Sequence, residues 1–185
     1  MMIQLISEAE NLAVGLSEVR DFLKISHRDE DAMIAGYIRA ATAACETFTG
    51  RKLIKQQWQL ILNDWMEDVV QIPLSPVLSV DKIEVWQAEV FQEILPDHYL
   101  LDRTSYQTKI QPRAGYHWTV PEIEAEGIKI TVSAGFGADR NDVPHDIRQG
   151  LLHWVAAAYD DGGSAGNQAA LMAEKLWQAY RRVAL

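Results

Sequence analysis

Hydrophobic positions recur with a helical period near both ends of the chain. In the first part, apolar side chains three or four residues apart follow a capping-box pattern at residues 26–29 and stop at Gly50, which predicts one long helix. Its apolar face comprises Ile34, Tyr37, Ile38, Ala41, Cys45 and Phe48. A shorter helix, capped by Ser17, is predicted just before it.

The hydrophobic period changes to two after Leu53. Ile54, Trp58, Leu60 and Leu62 alternate with polar residues, which is typical of a half-buried strand. Short runs rich in β-branched residues follow at 69–72, 79–86, 99–101, 109–111 and 128–134. Proline, glycine or charged turns separate these runs, and together they predict a small antiparallel sheet.

Helical periodicity returns after Val143-Pro144, because proline suits the first turn of a helix. A third helix is predicted from there to about Tyr159, and a fourth from Gln168 to Val183. The predicted fold class is α+β, in a single domain over residues 1–185. It consists of a small helical bundle built from both chain ends (16–50 and 143–183), with an antiparallel β-rich insertion in the middle (51–137).

Composition narrows the possible functions. The 185 residues are 48% hydrophobic and 23% charged, as in an ordinary folded domain. Seventeen basic against twenty-six acidic residues give a net charge of −9, which argues against generic nucleic-acid binding. Cys45 is the only cysteine, so we expect a core thiol in a reducing compartment. The N-terminus does not resemble a secretory signal and no 18-residue apolar stretch occurs, so we expect no membrane association.

One sequence motif raises the possibility of hydrolysis. Residues 162–166 read Gly-Gly-Ser-Ala-Gly, a formal match to the nucleophile elbow of serine hydrolases. That elbow needs a strand before it, whereas a helix is predicted here. The context favours a glycine-rich turn between two helices, and a small serine hydrolase using Ser164 remains the alternative.

The other candidate sites point to no cofactor, metal or catalytic residue. Gly135-Phe136-Gly137 lacks the third glycine of a dinucleotide fingerprint. His145 and His153 are two helical turns apart, about 12 Å, which is too far to share a metal ion directly. The acidic residues of segment 64–68 are typical of a turn between strands.

Aromatic residues and charge suggest contact surfaces. Trp58 and Trp154 lie on apolar stripes and are predicted to be core residues, whereas Trp86, Trp118 and Trp177 have polar sequence neighbours and are candidates for protein contacts. Residues 1–31 hold seven acids and three bases, while the last twelve residues hold one acid and three bases. This uneven charge has two interpretations. The charged residues either lie on a solvated surface, or they provide contacts between copies arranged head to tail or with another protein.

The order and spacing of several weak motifs over residues 16–160 are informative together. They are Glu30-Asp31, Glu46, Thr49-Gly50-Arg51, Leu53, Gln57, Trp58, the segment 73–77, Val80, Ile83, Thr131, the segment 134–137, Val143-Pro144, Ile147, Arg148 and Tyr159. This arrangement resembles the ring-forming head-tail connector (adaptor) proteins of long-tailed bacteriophages. The chain departs from that pattern after Tyr159, where Asp160-Asp161-Gly162 stands in place of the usual glutamate and arginine.

The resemblance implies a structural role in the neck of a phage or prophage virion, with the host cytoplasm as the location before assembly. Copies of the chain would form a ring, commonly of twelve, that docks on the portal protein and receives a tail-proximal neck or stopper protein. DNA would pass through the channel without specific binding. The alternative is another tail-completion or neck protein on the same scaffold.

The resemblance also suggests roles for particular residues. The structural motif comprises Thr49, Gly50, Arg51, Gln57, Trp58, Pro73, Pro76, Gly135, Val143 and Pro144. Candidate portal contacts are Trp177, Tyr180, Arg181 and Arg182. The candidate oligomer contacts, Trp86 and Trp118, follow instead from their polar sequence neighbours. Arg51 is expected to reach the carbonyl groups at a helix C-terminus, and truncation after residue 167 is expected to leave a folded protein that no longer joins the portal.

Overall fold

The computed structural model describes residues 1–103, 107–160 and 164–182, with the side chains of 164–167 excepted. The described helices are α1 (Leu16–Leu23), α2 (Asp31–Thr49), α3 (His145–Tyr159) and α4 (Ser164–Trp177). The described strands are β1 (Met2–Ser7), β2 (Gln56–Leu62), β3 (Val70–Gln71), β4 (Val77–Gln87), β5 (Val90–Glu93), β6 (Tyr99–Asp102), β7 (Lys109–Pro112) and β8 (Ile128–Ala134). The predicted α+β class is confirmed.

The strands form two antiparallel sheets, whereas the sequence pattern predicted one. Five strands pair in the order β1-β2-β8-β4-β5, and three pair in the order β3-β7-β6. The predicted elements lack β1 and β5. Both strands have mostly exposed side chains, so neither shows the buried-and-polar alternation by which the other strands are recognised.

The described chain divides into two compact units. One contains residues 1–8 and 55–135, which include both sheets, and the other contains residues 9–54 and 136–185, which include the four described helices. We call them the β unit and the helical unit. The prediction that the whole chain is a single domain stays a prediction.

One face of the five-stranded sheet supplies much of the core of the β unit. Alternate residues of β8 (Ile128, Ile130, Val132) are fully buried, and their partners on β2 and β4 include Leu60 and Ile83. This alternation is the period of two that the sequence displays, so burial of a single sheet face explains the pattern.

Helices from both chain ends share the core of the helical unit, as predicted. Ile38 and Cys45 of α2 lie in one buried cluster with Leu151 and Val155 of α3 and with Trp177 of α4. The Cys45 side chain is fully buried, and burial followed by the charge of neighbouring Glu46 raises the pKa of its thiol to about 12. None of the described helices is long and apolar enough to cross a membrane.

Helix boundaries differ from the predicted ones at five ends. Helix α1 begins at Leu16 with Gly15 as its N-cap, so Ser17 lies inside the helix and does not cap it. Residues 26–29 precede α2, which begins at Asp31 with Glu30 as its N-cap. Helix α3 begins at His145 with Pro144 as its N-cap, whereas the sequence predicted Pro144 as the first residue of the helix. The last helix runs from Ser164 to Trp177, followed by a short 3₁₀ turn at Gln178–Tyr180, whereas periodicity alone placed it at 168–183.

Candidate functional site

The Thr49-Gly50-Arg51 corner ends α2 as the sequence predicts. Gly50 adopts a left-handed conformation with φ of 68°, which L-residues with a side chain adopt at a cost. Its amide donates a hydrogen bond of 2.9 Å to the Glu46 carbonyl. Thr49 is buried, and its hydroxyl donates to the Cys45 carbonyl at 2.7 Å. These bonds satisfy backbone groups that a helix end would otherwise leave without partners.

Glu46 closes the same corner from within α2. Its carboxylate accepts a hydrogen bond of 3.0 Å from the Leu53 amide and an ion-pair contact of 2.9 Å from the Lys52 ammonium group. Glu46, one helical turn before Gly50, therefore fixes the direction in which the chain leaves α2.

The corner also holds the C-terminal part of the described chain. Arg51 donates from Nε to the Tyr180 carbonyl at 2.8 Å, and the Arg182 amide donates to the Thr49 carbonyl at 2.9 Å. Arg51 does reach a helix C-terminal carbonyl, but in the 3₁₀ turn after α4 rather than in α2. The motif thus acts as a joint between the first long helix and the last one.

Trp177 lies in the core of the helical unit, with 1% of its surface exposed. Its indole N–H donates to the Ile147 carbonyl at 3.2 Å, and its ring lies against Gly150, where an added Cβ would be 2.2 Å from Nε1. The prediction that Trp177 contacts a partner is therefore corrected. Its polar neighbours in sequence lie on other faces of the helix, and one face of a helix can be buried while the adjacent positions are solvated.

The expected effect of truncation is corrected for the same reason. A chain ending at residue 167 lacks Ala173 and Trp177, which are both buried in the helical core. We expect such a chain to lose its fold and not only its partner.

The remaining candidate portal contacts differ in exposure. Arg181 is exposed, with its guanidinium group 5.7 Å from the centre of the Phe48 ring, and Arg182 is half-buried. Tyr180 is half-buried; burial, the charge of Asp146 and a hydrogen bond to that carboxylate raise the pKa of its hydroxyl. Arg181 is therefore the most accessible of the four.

Trp118 belongs to a clasp between two loops of the β unit. It stacks on Trp65 with ring centres 4.3 Å apart and planes 10° apart. Each indole N–H donates to a carbonyl of the opposite loop at 2.8 Å: Trp65 to Thr119, and Trp118 to Asp68. No pattern in the sequence distinguishes Trp65, because only the fold brings residues 65 and 118 together.

The acidic segment beside this clasp borders a cavity. The carboxylates of segment 64–68 line a cavity of about 390 Å³ together with both tryptophans, His117 and Val120. Among the residues that the structure describes, no group of three or more His, Cys, Asp or Glu side chains could hold a metal ion.

Trp86, the other candidate oligomer contact, is half-buried on β4. Its ring meets Phe91 of β5 edge to face, with centres 5.0 Å apart. The two residues lie directly opposite each other in the sheet. Trp86 therefore packs within the sheet and also keeps part of its surface accessible.

Motif residues of the β unit serve its sheet. Gly135, with φ of 142°, donates its amide to the Pro76 carbonyl at 2.9 Å. Trp58 lies opposite Val132 of β8, and Pro73 is half-buried just after β3. These contacts place four of the motif residues in structural positions.

Gln57 belongs to a polar cluster on β2, β4 and β8. Its amide donates to the carboxylate of Asp81, which also accepts from the hydroxyl groups of Ser79 and Ser133. Partial burial alone would raise the pKa of Asp81, but these three donors lower it.

Val143 and Pro144 directly precede α3, with Val143 buried in the helical core. One turn later, Arg148 forms an ion pair of 2.8 Å with Glu18 of α1. The start of α3 is thereby tied to the first helix.

Several acidic side chains of the N-terminal region form ion pairs or hydrogen bonds within the helical unit. Besides Glu18, Asp31 pairs with Arg20, and Glu30 accepts a hydrogen bond of 2.7 Å from the Tyr159 hydroxyl. This accounts for part of the acidic excess of residues 1–31. The Ser164 side chain and residues 161–163, on which the hydrolase alternative rests, lie outside the described part of the chain.

Comparison with known families identifies this arrangement. Residues 14–112 match the model of a family described as Phage gp6-like head-tail connector protein, which is more than half of the chain. The chain belongs to this family. The connector's helix-to-strand corner, from the end of α2 to the start of β2, lies within the matched region.

Solved structures extend the similarity over the whole connector. A chain in the neck of an empty gene transfer agent (GTA) particle, computed with C6 symmetry, is 27% identical, with a TM-score of 0.83. A chain in the virion of a native GTA particle is 26% identical (TM-score 0.81), and one in a native GTA neck computed with C12 symmetry is 25% identical (TM-score 0.78). Each alignment covers 100% of this chain and 97% of the other. A search of curated proteins found no match.

Proposed function

We propose that this connector is a non-enzymatic ring subunit in the neck of a tailed phage or phage-like particle, where it joins the capsid portal to the tail. The observation that carries the proposal is similarity over the full chain to neck proteins, together with membership of the head-tail connector family. The resolved contacts of the motif residues support it, because they hold backbone and core in place and present no reacting group.

A twelve-membered ring is the assembly that we propose for the virion. One of the similar neck structures was computed with C12 symmetry and another with C6, which is a subgroup of C12. A cyclic ring requires two different complementary surfaces on every subunit. With a net charge of −9, the subunit has little overall attraction for DNA, which suits a channel through which DNA slides without specific binding.

The first experiment is assembly of the purified connector with and without the portal protein of the same phage. Native mass spectrometry and negative-stain imaging should show closed rings, with twelve copies on the portal. A connector that stays monomeric with the portal, and binds only a tail protein, would contradict the proposal and favour the alternative neck role.

Portal docking is proposed through the C-terminal end of the described chain. Arg181 is exposed there, and the Arg51 and Thr49 contacts hold this end in a defined position. We predict that Arg181→Glu weakens portal binding tenfold or more, because it reverses an exposed charge, and that it changes thermal stability little. Binding is measured by surface plasmon resonance.

The matched control is Arg39→Glu, which reverses an exposed arginine on α2. It should bind the portal as the wild type does. Equal binding by Arg181→Glu and the wild type would contradict the docking assignment.

A further inference from the structure

The five-stranded sheet has an open edge at β1. In the described part of the chain, β1 pairs with β2 and with no other strand. One row of its backbone amide and carbonyl groups therefore faces away from the sheet. An open row of this kind is a template for pairing with another strand.

The β1 edge lacks the features by which proteins usually prevent such pairing. Residues Met2–Ser7 read Met-Ile-Gln-Leu-Ile-Ser, with no charged residue and no proline. Edge strands that remain solvated commonly carry lysine, proline or an inward-pointing charge. The strand is also six residues long, so it offers several consecutive backbone groups.

The side chains of β1 are apolar and exposed. Every residue of the strand is exposed. Its four large apolar residues include Met2, with 50% of its surface exposed, and Ile6, with 47%; the others are Ile3 and Leu5. Because successive side chains of a strand point to opposite faces, β1 exposes large apolar side chains on both faces, which favours contact with another surface. Because no β1 residue is buried, the core of the β unit does not depend on this strand.

The opposite edge of the same sheet is open too. In the described chain β5 pairs only with β4, and its Val90 is 53% exposed. The two open edges are different surfaces. The backbone amide and carbonyl groups of one edge can form hydrogen bonds with those of the other, whichever side chains they carry. The β3 edge of the smaller sheet is a poorer partner, since β3 has two residues and Pro73 follows soon after it.

We infer that β1 of one subunit pairs with β5 of the neighbouring copy, which continues the five-stranded sheet from subunit to subunit. This inference rests on the proposed ring, since a heterologous contact between two different edges produces a ring when its rotation closes. The uncharged β1 does not repel Glu93 at the end of β5. Backbone pairing fixes the partner strand, and burial of the apolar side chains stabilises the contact.

Cysteine cross-linking between copies tests the pairing directly. Two single variants, Ile3→Cys and Gln92→Cys, are mixed with the portal present and treated with a short bismaleimide. The native Cys45 is buried with its pKa raised to about 12, so it does not compete. We expect a cross-linked dimer in the mixture, and expect the Ile3→Cys/Gln92→Cys double variant to give a ladder of higher oligomers.

Met33→Cys is the matched control, because Met33 is an exposed methionine on α2. Mixed with Gln92→Cys, it should give no more dimer than Gln92→Cys alone. Cross-links formed mainly within the Ile3→Cys sample would mean that β1 pairs with β1, and would overturn the inference.

A charge placed on the edge provides the second readout. Leu5→Lys should raise the concentration at which rings form at least tenfold, while Met33→Lys should leave it unchanged. Thermal unfolding of Leu5→Lys should match the wild type, because Leu5 is exposed. If Leu5→Lys forms rings at the same concentrations as the wild type, the β1–β5 pairing is wrong and the connector function is unaffected. If the wild type forms no rings with the portal present, the proposed function itself is contradicted.

Discussion

At the scale of single residues, Gly150 determines how the last helix packs. It lies in the buried part of α3, where the Trp177 ring occupies the space that a side chain would need. The sequence shows a glycine inside a helical pattern, which usually weakens a helix. Only the packed neighbour supplies the reason for it.

We predict that Gly150→Ala lowers the free energy of unfolding by about 1–3 kcal/mol, because the new methyl group overlaps the Trp177 indole. Urea denaturation followed by circular dichroism measures the change. Gly36→Ala is the matched control: on α2 an added Cβ meets nothing within 4 Å, so this change should stabilise by about 0.5–1 kcal/mol. Two equal effects would show that the indole is not the cause.

At the scale of secondary-structure elements, the end of α2 and the segment after α4 form one joint. Gly50 ends the first helix, and the Arg51 side chain then satisfies a carbonyl at the end of the last. Residues about 130 positions apart in sequence are thereby held together. These contacts show what the Thr49-Gly50-Arg51 motif does in the fold, which its local sequence does not reveal.

We predict that Arg51→Ala releases the segment after α4. The Tyr180 carbonyl loses its donor, so amide hydrogen exchange at Arg182 should accelerate at least tenfold, and unfolding should become easier by about 1 kcal/mol. Hydrogen exchange followed by NMR measures this. Arg39→Ala removes an exposed arginine of α2 and should change neither quantity; unchanged protection in Arg51→Ala would refute the joint.

At the scale of the whole molecule, the two compact units use the chain ends differently. The helical unit takes helices from both ends into one core, whereas the β unit takes its edge strand β1 from residues 2–7 without burying any of them. The two ends should therefore respond differently to truncation.

We predict that a chain ending at residue 167 does not fold cooperatively. Losing Trp177 alone is expected to cost about 3–5 kcal/mol, a large part of the total stability of a domain, and Ala173 is lost with it. Deletion of residues 2–7 should instead leave a cooperative thermal transition. Circular dichroism and calorimetry compare the two, and a sharp transition in the 167-residue chain would contradict the placement of Trp177 in the core.

Four features are predictable from the chain alone: the α+β class, the end of α2 at Gly50, the full extent of β8 and the resemblance to head-tail connectors. These features depend on local periodicity, on the conformational freedom of glycine and on motif order, all of which can be read along the chain. Cys45 as a core residue follows from the same helical stripe.

Four other features follow only from the folded chain: the division into two sheets, the burial of Trp177, the Trp65–Trp118 stack and the open β1 edge. Each of these depends on contacts between residues far apart in sequence, or on whether a strand finds a second neighbour. Polarity of adjacent residues did not predict exposure for Trp177, because burial follows the helix face and the space left by Gly150 rather than the order of residues.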